Sequence, residues 1–437
     1  MTTTTSSTTS YHRFKPWNVG RIVIWSLFAL MLIVAPMLFK SSLALTMLSQ
    51  IGYLIIICLS YNMLLGQGGM LSFGHAVYTG LGSFIAIHAM NLASKGSLPI
   101  PLVFIPLVGG LAGMMFAVLL GYVTTKKAGT TFAMITLGIG ELVASMALMF
   151  PEFFGGEGGI TTDRVYGGSF LGINFGPAIQ VYYLIAAYCF VCTAAMFAFT
   201  GTPLGRILNA VRDNPERVEF IGYNTQRVRY FAFIIAGFFA GIGGGLTAIN
   251  FEIITAADSV SVIRSGGYLL FTFLGGATFF FGPIIGAVLL VLASVLLSEL
   301  SKAWLLYLGL VFLFMVMYAP GGVASLIMMN LRLAKYGKLG RLWVSYLGLA
   351  GAGLTALLGA AAMVEMTYHL QLNAALGPQL HFLGASINAR GLTSWFGAGF
   401  VLLTGLGLFE LCRREFLRQW GEAQEEIERE IKRQEAL

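Results

Sequence analysis

The chain has 437 residues, 57% hydrophobic and only 10% charged, with a mean hydropathy of +0.81. Soluble domains carry about 25% charged residues, so composition excludes a water-soluble enzyme; the apolar content excludes a disordered chain, and glycine without a three-residue period excludes a collagen. The net charge of +7 comes from basic clusters set between apolar runs, which is membrane-topology signal and not a nucleic-acid footprint.

In chain order, residues 1–20 open on a Thr/Ser tract and read as a disordered cytoplasmic N-terminus. Arg13, Lys15 and Arg21 precede the apolar run Ile22–Phe39, which is longer than a leader's apolar core and is read as a first retained span. Further spans are expected near 43–65, 71–92, 98–123, 130–150, 179–199, 230–250, 266–281, 284–299, 303–320, 343–364 and 395–409. No Asp, Glu, Lys or Arg interrupts Ser41–Ser94, Val165–Gly205, Tyr230–Phe251, Ser265–Ser298 or Ala303–Leu331. The expected fold is all-α: a polytopic membrane protein with about ten core transmembrane helices, some broken, plus a C-terminal two-helix extension. The core occupies 21–330, with a polar loop at 201–229; an additional two-span hairpin covers 331–411, and an amphipathic tail covers 412–437. In that tail Phe416, Trp420, Ile427 and Ile431 share one face, and the helix is read as solvated.

With the N-terminus inside, twenty of the 26 Lys and Arg fall in loops on that side. Only Lys40, Lys95, Arg164, Arg264, Lys302 and Arg390 fall on the other, so both termini are expected in the cytoplasm. Two loops stand out. The outside loop 151–179 holds Gly155, Gly156, Glu157, Gly158 and Gly159. The inside loop holds a helix through Arg212, a break at Pro215 and a short helix ending at Gly222, the order in which Pro opens a helix and Gly closes one. Its charges include Arg212, Asp213, Glu216, Arg217 and Glu219, and with Asn214 it reads as a docking element for a soluble partner.

No hydrolase, metalloprotease or phosphate-loop motif is present, so no catalytic residue, metal or cofactor is expected. Cys189 and Cys192 have redox-motif spacing, but with no second pair and no nearby His they read as helix residues. Gly241, Gly243, Gly244 and Gly245 read as helix-packing positions. Two ionisable residues inside spans stand out, Glu141 and His75. Each reads either as a hydrogen-bonded structural group or as part of a solute path, because charge in lipid is costly. Gly66, Gly68, Gly69 and Gly74, interspersed with Gln67 and Ser72, poorly specify a continuous helix; Gly275, Gly276 and Gly282 form a second interruption. Two matched breaks suggest an internal repeat around a midplane pathway.

Four ordered segments resemble a known family: Tyr61–His75 (YNMLLGQGGMLSFGH), Phe154–Ile160 (FGGEGGI), Gly205–Asn224, and Leu274–Ala287 (LGGATFFFGPIIGA). Together they are similar to the inner-membrane permeases of branched-chain amino acid ABC importers, the LivM-like half of the permease pair. The resemblance runs from about residue 45 to 330 and implies a permease powered by two separate ABC ATPase subunits. It also implies a second, LivH-like permease subunit, a periplasmic substrate-binding protein, and a bacterial inner-membrane location. On that resemblance Arg212–Gly222 is the coupling segment, the loop 155–159 meets the binding protein, and Gln67, Ser72, His75 and Glu141 are candidates for the path. The alternative is a self-sufficient ion-coupled transporter of a small polar solute.

Overall fold

The computed structural model describes residues 19–166, 174–372, 377–382 and 385–435. The expected N-terminal disordered segment lies almost wholly outside them.

The first half is α1 (Val19–Leu38), α2 (Ser42–Asn62) continued by a π turn at Met63–Gln67, α3 (His75–Ser94), α4 (Ile105–Thr124) and α5 (Gly129–Met149). A cap of short pieces follows: α6 (Pro151–Phe154) and β1 (Ile160–Thr161). Then come α7 (Ala178–Gly201), α8 (Pro203–Asp213), α9 (Pro215–Phe220) and α10 (Thr225–Phe251). Beyond these lie β2 (Ile253–Ile254), α11 (Ala256–Ser259), α12 (Val262–Gly275), α13 (Gly282–Leu292) with a π turn at Ala293–Leu297, and α14 (Ser298–Leu300). The chain ends with α15 (Trp304–Tyr318), α16 (Gly322–Lys335), α17 (Leu339–Leu372), the hairpin β3 (Gln379–Phe382) and β4 (Ala385–Asn388), and α18 (Leu392–Glu435). Among the described residues nine helices are long and apolar enough to cross a membrane, or ten if α15 and α16, bent by 49°, form one broken span.

The hub is α10. Side-chain Oδ1 of Asn224 accepts from Arg227 N and starts it. Small residues then let three neighbours approach closely, the packing mode favoured between helices in lipid. Gly241 lies on the α4 backbone at Gly109 and Gly113, Gly243 on Ile57 of α2, and Gly244 on the Thr79 carbonyl of α3. Cys189 and Cys192 are likewise buried, free, and on one helix.

The 27 residues of α10 span about 40 Å and separate two ends of the bundle. At one end sit α8, α9 and the 63–74 segment. At the other, β1 pairs antiparallel with β2 (Ile160↔Ile254, Thr161↔Ile253), and Arg164 meets Glu252 at 3.6 Å. The expected inside and outside loops therefore do lie at opposite ends.

Three expectations need correction. The spans expected at 266–281 and 284–299 are replaced by a tight hairpin, in which Gly275 contacts Gly282 and Gly286 contacts Phe271. The 14 residues of α12 reach about 21 Å, too short for the roughly 30 Å apolar core. The span expected from residue 71 begins only at His75. The tail is not solvated on its apolar face: Phe416, Trp420 and Ile431 pack with Tyr336 and Tyr346 around a core of Leu333, Leu342, Ala423 and Ile427. Ser345–Gln419 (2.7 Å) and Lys338–Glu426 (2.7 Å) tie α18 to the start of α17.

Candidate functional site: a broken span and its docking loop

After Asn62 the helix of α2 widens into a π turn and then stops. Gly68 N and Met70 N both turn back to the Leu64 carbonyl, at 3.2 and 2.8 Å. Gly69, at φ +63°, reverses the chain, a conformation natural to glycine. The extended residues that follow are held by side chains from elsewhere. Tyr61 OH donates to the Ser72 carbonyl (2.8 Å), Phe73 N to Thr136 Oγ1 (3.1 Å), and Ala76 N to Ser265 Oγ (2.9 Å). Broken backbone is tolerated at membrane depth only when protein covers it in this way.

His75 is fully buried at the start of α3, its ring edge against Tyr61 and its Nε2 2.9 Å from Ser60 Oγ. Ser60 spends its own proton on the Ile57 carbonyl (2.7 Å). The imidazole therefore donates through Nε2, and Nδ1 keeps a free lone pair. Nδ1 has no partner, and the same holds for the buried Asn62 Oδ1, Gln67 Oε1, Ser72 Oγ and Thr272 Oγ1. The break is thus a polar, underpaired spot inside an apolar bundle, where each unpaired group costs free energy.

The second interruption touches the first. A Cβ at Gly66 would collide with the Ala277 carbonyl, and one at Gly276, at φ +115°, would meet the Gly321 carbonyl at 2.6 Å. The breaks at 63–74, 276–281 and 319–321 therefore form one contact set. It lies at the α8–α9 end of the bundle.

The docking loop sits on that set. Thr202 caps α8, and Asn214 Oδ1 accepts from Arg217 N (3.0 Å) to cap α9. Leu208 and Arg212, one turn apart on α8, cover Gly68 and Gly69. Arg212 Nη1 donates to the Gly66 carbonyl at the frayed end of α2, and Arg212 Nη2 pairs with Asp213 at 2.9 Å. A cation at a helix C-terminus satisfies an orphan carbonyl and complements the dipole. Asp213, Glu216, Arg217 and Glu219 are exposed, and Glu219 also accepts from Thr225 Oγ1 at 2.7 Å. Gly222, at φ +91°, closes α9 with open space around it. An open cleft of about 720 Å³ is lined by Glu216, Glu219 and Gly222 from the loop, and by Lys126 and Arg229 from other elements. Sequence reading missed Lys126 and Arg229 in this role, together with the 89%-exposed Phe220 and 67%-exposed Ile221. Two large apolar residues beside a loop glycine were the available signal.

The remaining candidates lie apart. Gly155, Gly156 and Gly159 all take positive φ, and Gly159 presses on the Ile254 carbonyl; Glu157 and Gly158 are exposed at the cap. Residues 167–173 of that loop lie outside the described residues. Glu141 is exposed, past the middle of the 21-residue α5, with no hydrogen bond among the described residues. The reading of Glu141 as a buried, hydrogen-bonded acid is therefore wrong for this subunit. In the extension, Glu365 accepts hydrogen bonds from Ser301 and Tyr307 of the core, and His369 is buried with Nε2 2.9 Å from the Gly377 carbonyl.

Broken apolar helices around a hub, with a charged loop locked onto the break, define a multi-pass membrane permease. The profile of the family described as the permease component of branched-chain amino acid transport systems matches residues 43–320, well over half of the chain. The chain belongs to that family. It is similar to the high-affinity branched-chain amino acid transport system permease protein LivM of Escherichia coli (strain K12), 26% identical over 303 residues, covering 64% of this chain and 69% of that protein. The LivM of Salmonella typhimurium gives the same identity and coverage. The probable branched-chain amino acid transport permease protein LivH of Methanocaldococcus jannaschii is 24% identical over 291 residues, 62% of this chain and 84% of that protein. No solved structure matches the chain.

Proposed function

We propose that this permease subunit of an ABC importer carries branched-chain or related amino acids from a periplasmic binding protein into the cytoplasm. Two separate ATPase subunits hydrolyse ATP, and a LivH-like permease completes the membrane part. The core 21–330 does the transport, the cap at 155–159 receives the binding protein, and both termini face the cytoplasm of a bacterial inner membrane. Residues 331–411 and 412–437 are an addition to that core.

One observation carries this reading: Arg212 of the docking loop holds the Gly66 carbonyl of the broken span. The exposed part of the loop, from Asp213 through Gly222, offers charges and apolar side chains to an ATPase subunit. The buried Leu208 and the partly exposed Arg212 side chain rest on the glycines of the break. A push on the loop therefore reaches the backbone at 66–69 directly, and through the Gly66–Ala277 and Gly276–Gly321 contacts reaches the other two breaks. The underpaired polar groups Gln67, Ser72 and His75 move with that backbone.

The test is co-expression with the candidate partner subunits, affinity purification, and uptake by proteoliposomes. Uptake that needs ATP inside and loaded binding protein outside supports the reading. Uptake by this chain alone under an ion gradient contradicts it and favours an ion-coupled carrier.

A further inference from the structure

Helix α5 has two unlike faces. Phe132, Thr136, Val143 and Ala147 are buried against the bundle, and Thr136 holds the Phe73 amide. The opposite face runs through Thr131, Met134, Gly138, Glu141 and Ser145, spaced at three or four residues, with Leu142 beside Glu141, and all six are exposed. Met134 and Leu142 are 67% and 55% exposed, and nothing lies within 4 Å of a Cβ placed on Gly138. Glu141 sits on this stripe with no partner among the described residues.

A lipid-facing helix surface is uniformly apolar. A carboxylate at this depth facing acyl chains is expensive, and such groups face a bundle interior or a water-filled cavity. Glu141 and Ser145 lie four residues apart and Thr131 ten residues before Glu141, which at 3.6 residues per turn brings all three polar side chains to the one face that this subunit leaves open. Here the sole charge is negative, and it is flanked by Met134 and Leu142. That pattern matches an amphiphilic solute with an ammonium group and an apolar side chain, while Gly138 leaves room one turn away.

We propose that the outer face of α5 lines the solute passage and that the Glu141 carboxylate binds the ammonium group of the amino acid in transit. This rests on the amino acid permease reading above. It adds the location of the passage on this subunit and the group that recognises the solute. A cationic side chain of a neighbouring subunit paired with Glu141 is the competing outcome.

The test uses the assembled complex in proteoliposomes, with Cys412→Ser removing the one cysteine that is not buried. Ser145→Cys, with Glu141 intact, should react with a water-soluble cationic methanethiosulfonate, whereas Val143→Cys on the packed face should not. Leucine delivered by loaded binding protein with ATP should slow the Ser145→Cys reaction by at least about tenfold, the effect expected of one well-placed ionic contact. Adding Glu141→Gln should abolish that protection and lower leucine uptake by a similar factor; Glu141→Asp should retain much of both. An unreactive Ser145→Cys, or protection and uptake unchanged by Glu141→Gln, overturns the proposal. Loss of assembly in Glu141→Gln, measured by co-purification, assigns Glu141 to a subunit contact and overturns it as well. Wild-type complex that fails to take up leucine sinks the permease reading itself, so the two failures are distinguishable.

Discussion

At the residue scale, Arg212 links two structures that sequence alone leaves apart. Its charge-assisted bond to the Gly66 carbonyl is worth about 2 kcal/mol, so Arg212→Ala should weaken the grip of the loop on the break roughly 30-fold. The expected outcome is ATP-driven uptake reduced by about that factor in complexes that still co-purify, with Arg212→Lys recovering part of it because a point charge replaces a fork. Uptake unchanged in Arg212→Ala would remove the relay. Glu216 and Gly222 test the exposed side of the same loop. Glu216→Lys reverses a charge facing the partner, and Gly222→Trp adds bulk at φ +91°, where strain of about 1–2 kcal/mol stays local to the loop. Both variants should insert and purify normally, while uptake and ATPase stimulation fall by at least roughly tenfold. Wild-type stimulation in both would refute docking at α9.

At the element scale, the charge-free stretches locate the long spans well, because a continuous apolar run of span length is stable chiefly where lipid or protein surrounds it along its whole length. The same cue fails between Ser265 and Ser298. Hydropathy is uniform there, and nothing in it marks that the chain turns at 276–281 after only 14 helical residues. Gly275, Gly276 and Gly282 signalled a break, but contact among three breaks is a tertiary fact. The α5 stripe was legible in principle, since Thr131, Gly138, Glu141 and Ser145 recur at helical spacing. What periodicity cannot tell is which face the rest of the chain covers. The tail shows the reverse case. Phe416, Trp420, Ile427 and Ile431 were visible as one face, yet the Leu333–Leu342 patch that covers them lies at the start of the segment read as a two-span hairpin, which nothing in the sequence paired with the tail. With 44 residues, α18 is about 66 Å long, roughly twice the apolar core of a bilayer, so its C-terminal half projects beyond the membrane as one arm with the start of α17. Ile427→Asp would put a charge into a fully buried position and should cost about 3 kcal/mol or more locally. Limited proteolysis should then cut within residues 412–435 while the core stays intact; an unchanged digestion pattern would argue against the packed arm.

At the scale of the whole molecule, the family match ends at residue 320 and the extension begins just beyond it. The extension meets the core through Glu365, Ser301 and Tyr307 at one end and through Leu333 and Tyr346 at the other. None of these residues touches the break, the docking loop or the α5 stripe. Deleting residues 342–437 exposes those contacts and should lower the yield and thermal stability of the complex. Complexes that do assemble should keep their uptake per molecule; assembled but inactive truncated complexes would place the extension in the mechanism. Orientation is tested separately by a cysteine at the exposed Thr161. It should react with an impermeant maleimide on intact spheroplasts, and labelling only after lysis would invert the topology.

Under the proposed function, and unlike a self-sufficient carrier, this chain would conduct amino acids only when a separate ATPase works on the 201–229 loop. Radiolabelled leucine uptake decides between the two. Proteoliposomes would hold the chain alone, or the chain with its second permease and ATPase subunits, each with loaded binding protein and ATP. The expected result is no uptake by the chain alone under any ion gradient, and ATP-dependent uptake by the full complex that Arg212→Ala strongly reduces. Sustained uptake by the chain alone, or by a full complex indifferent to ATP, would contradict it.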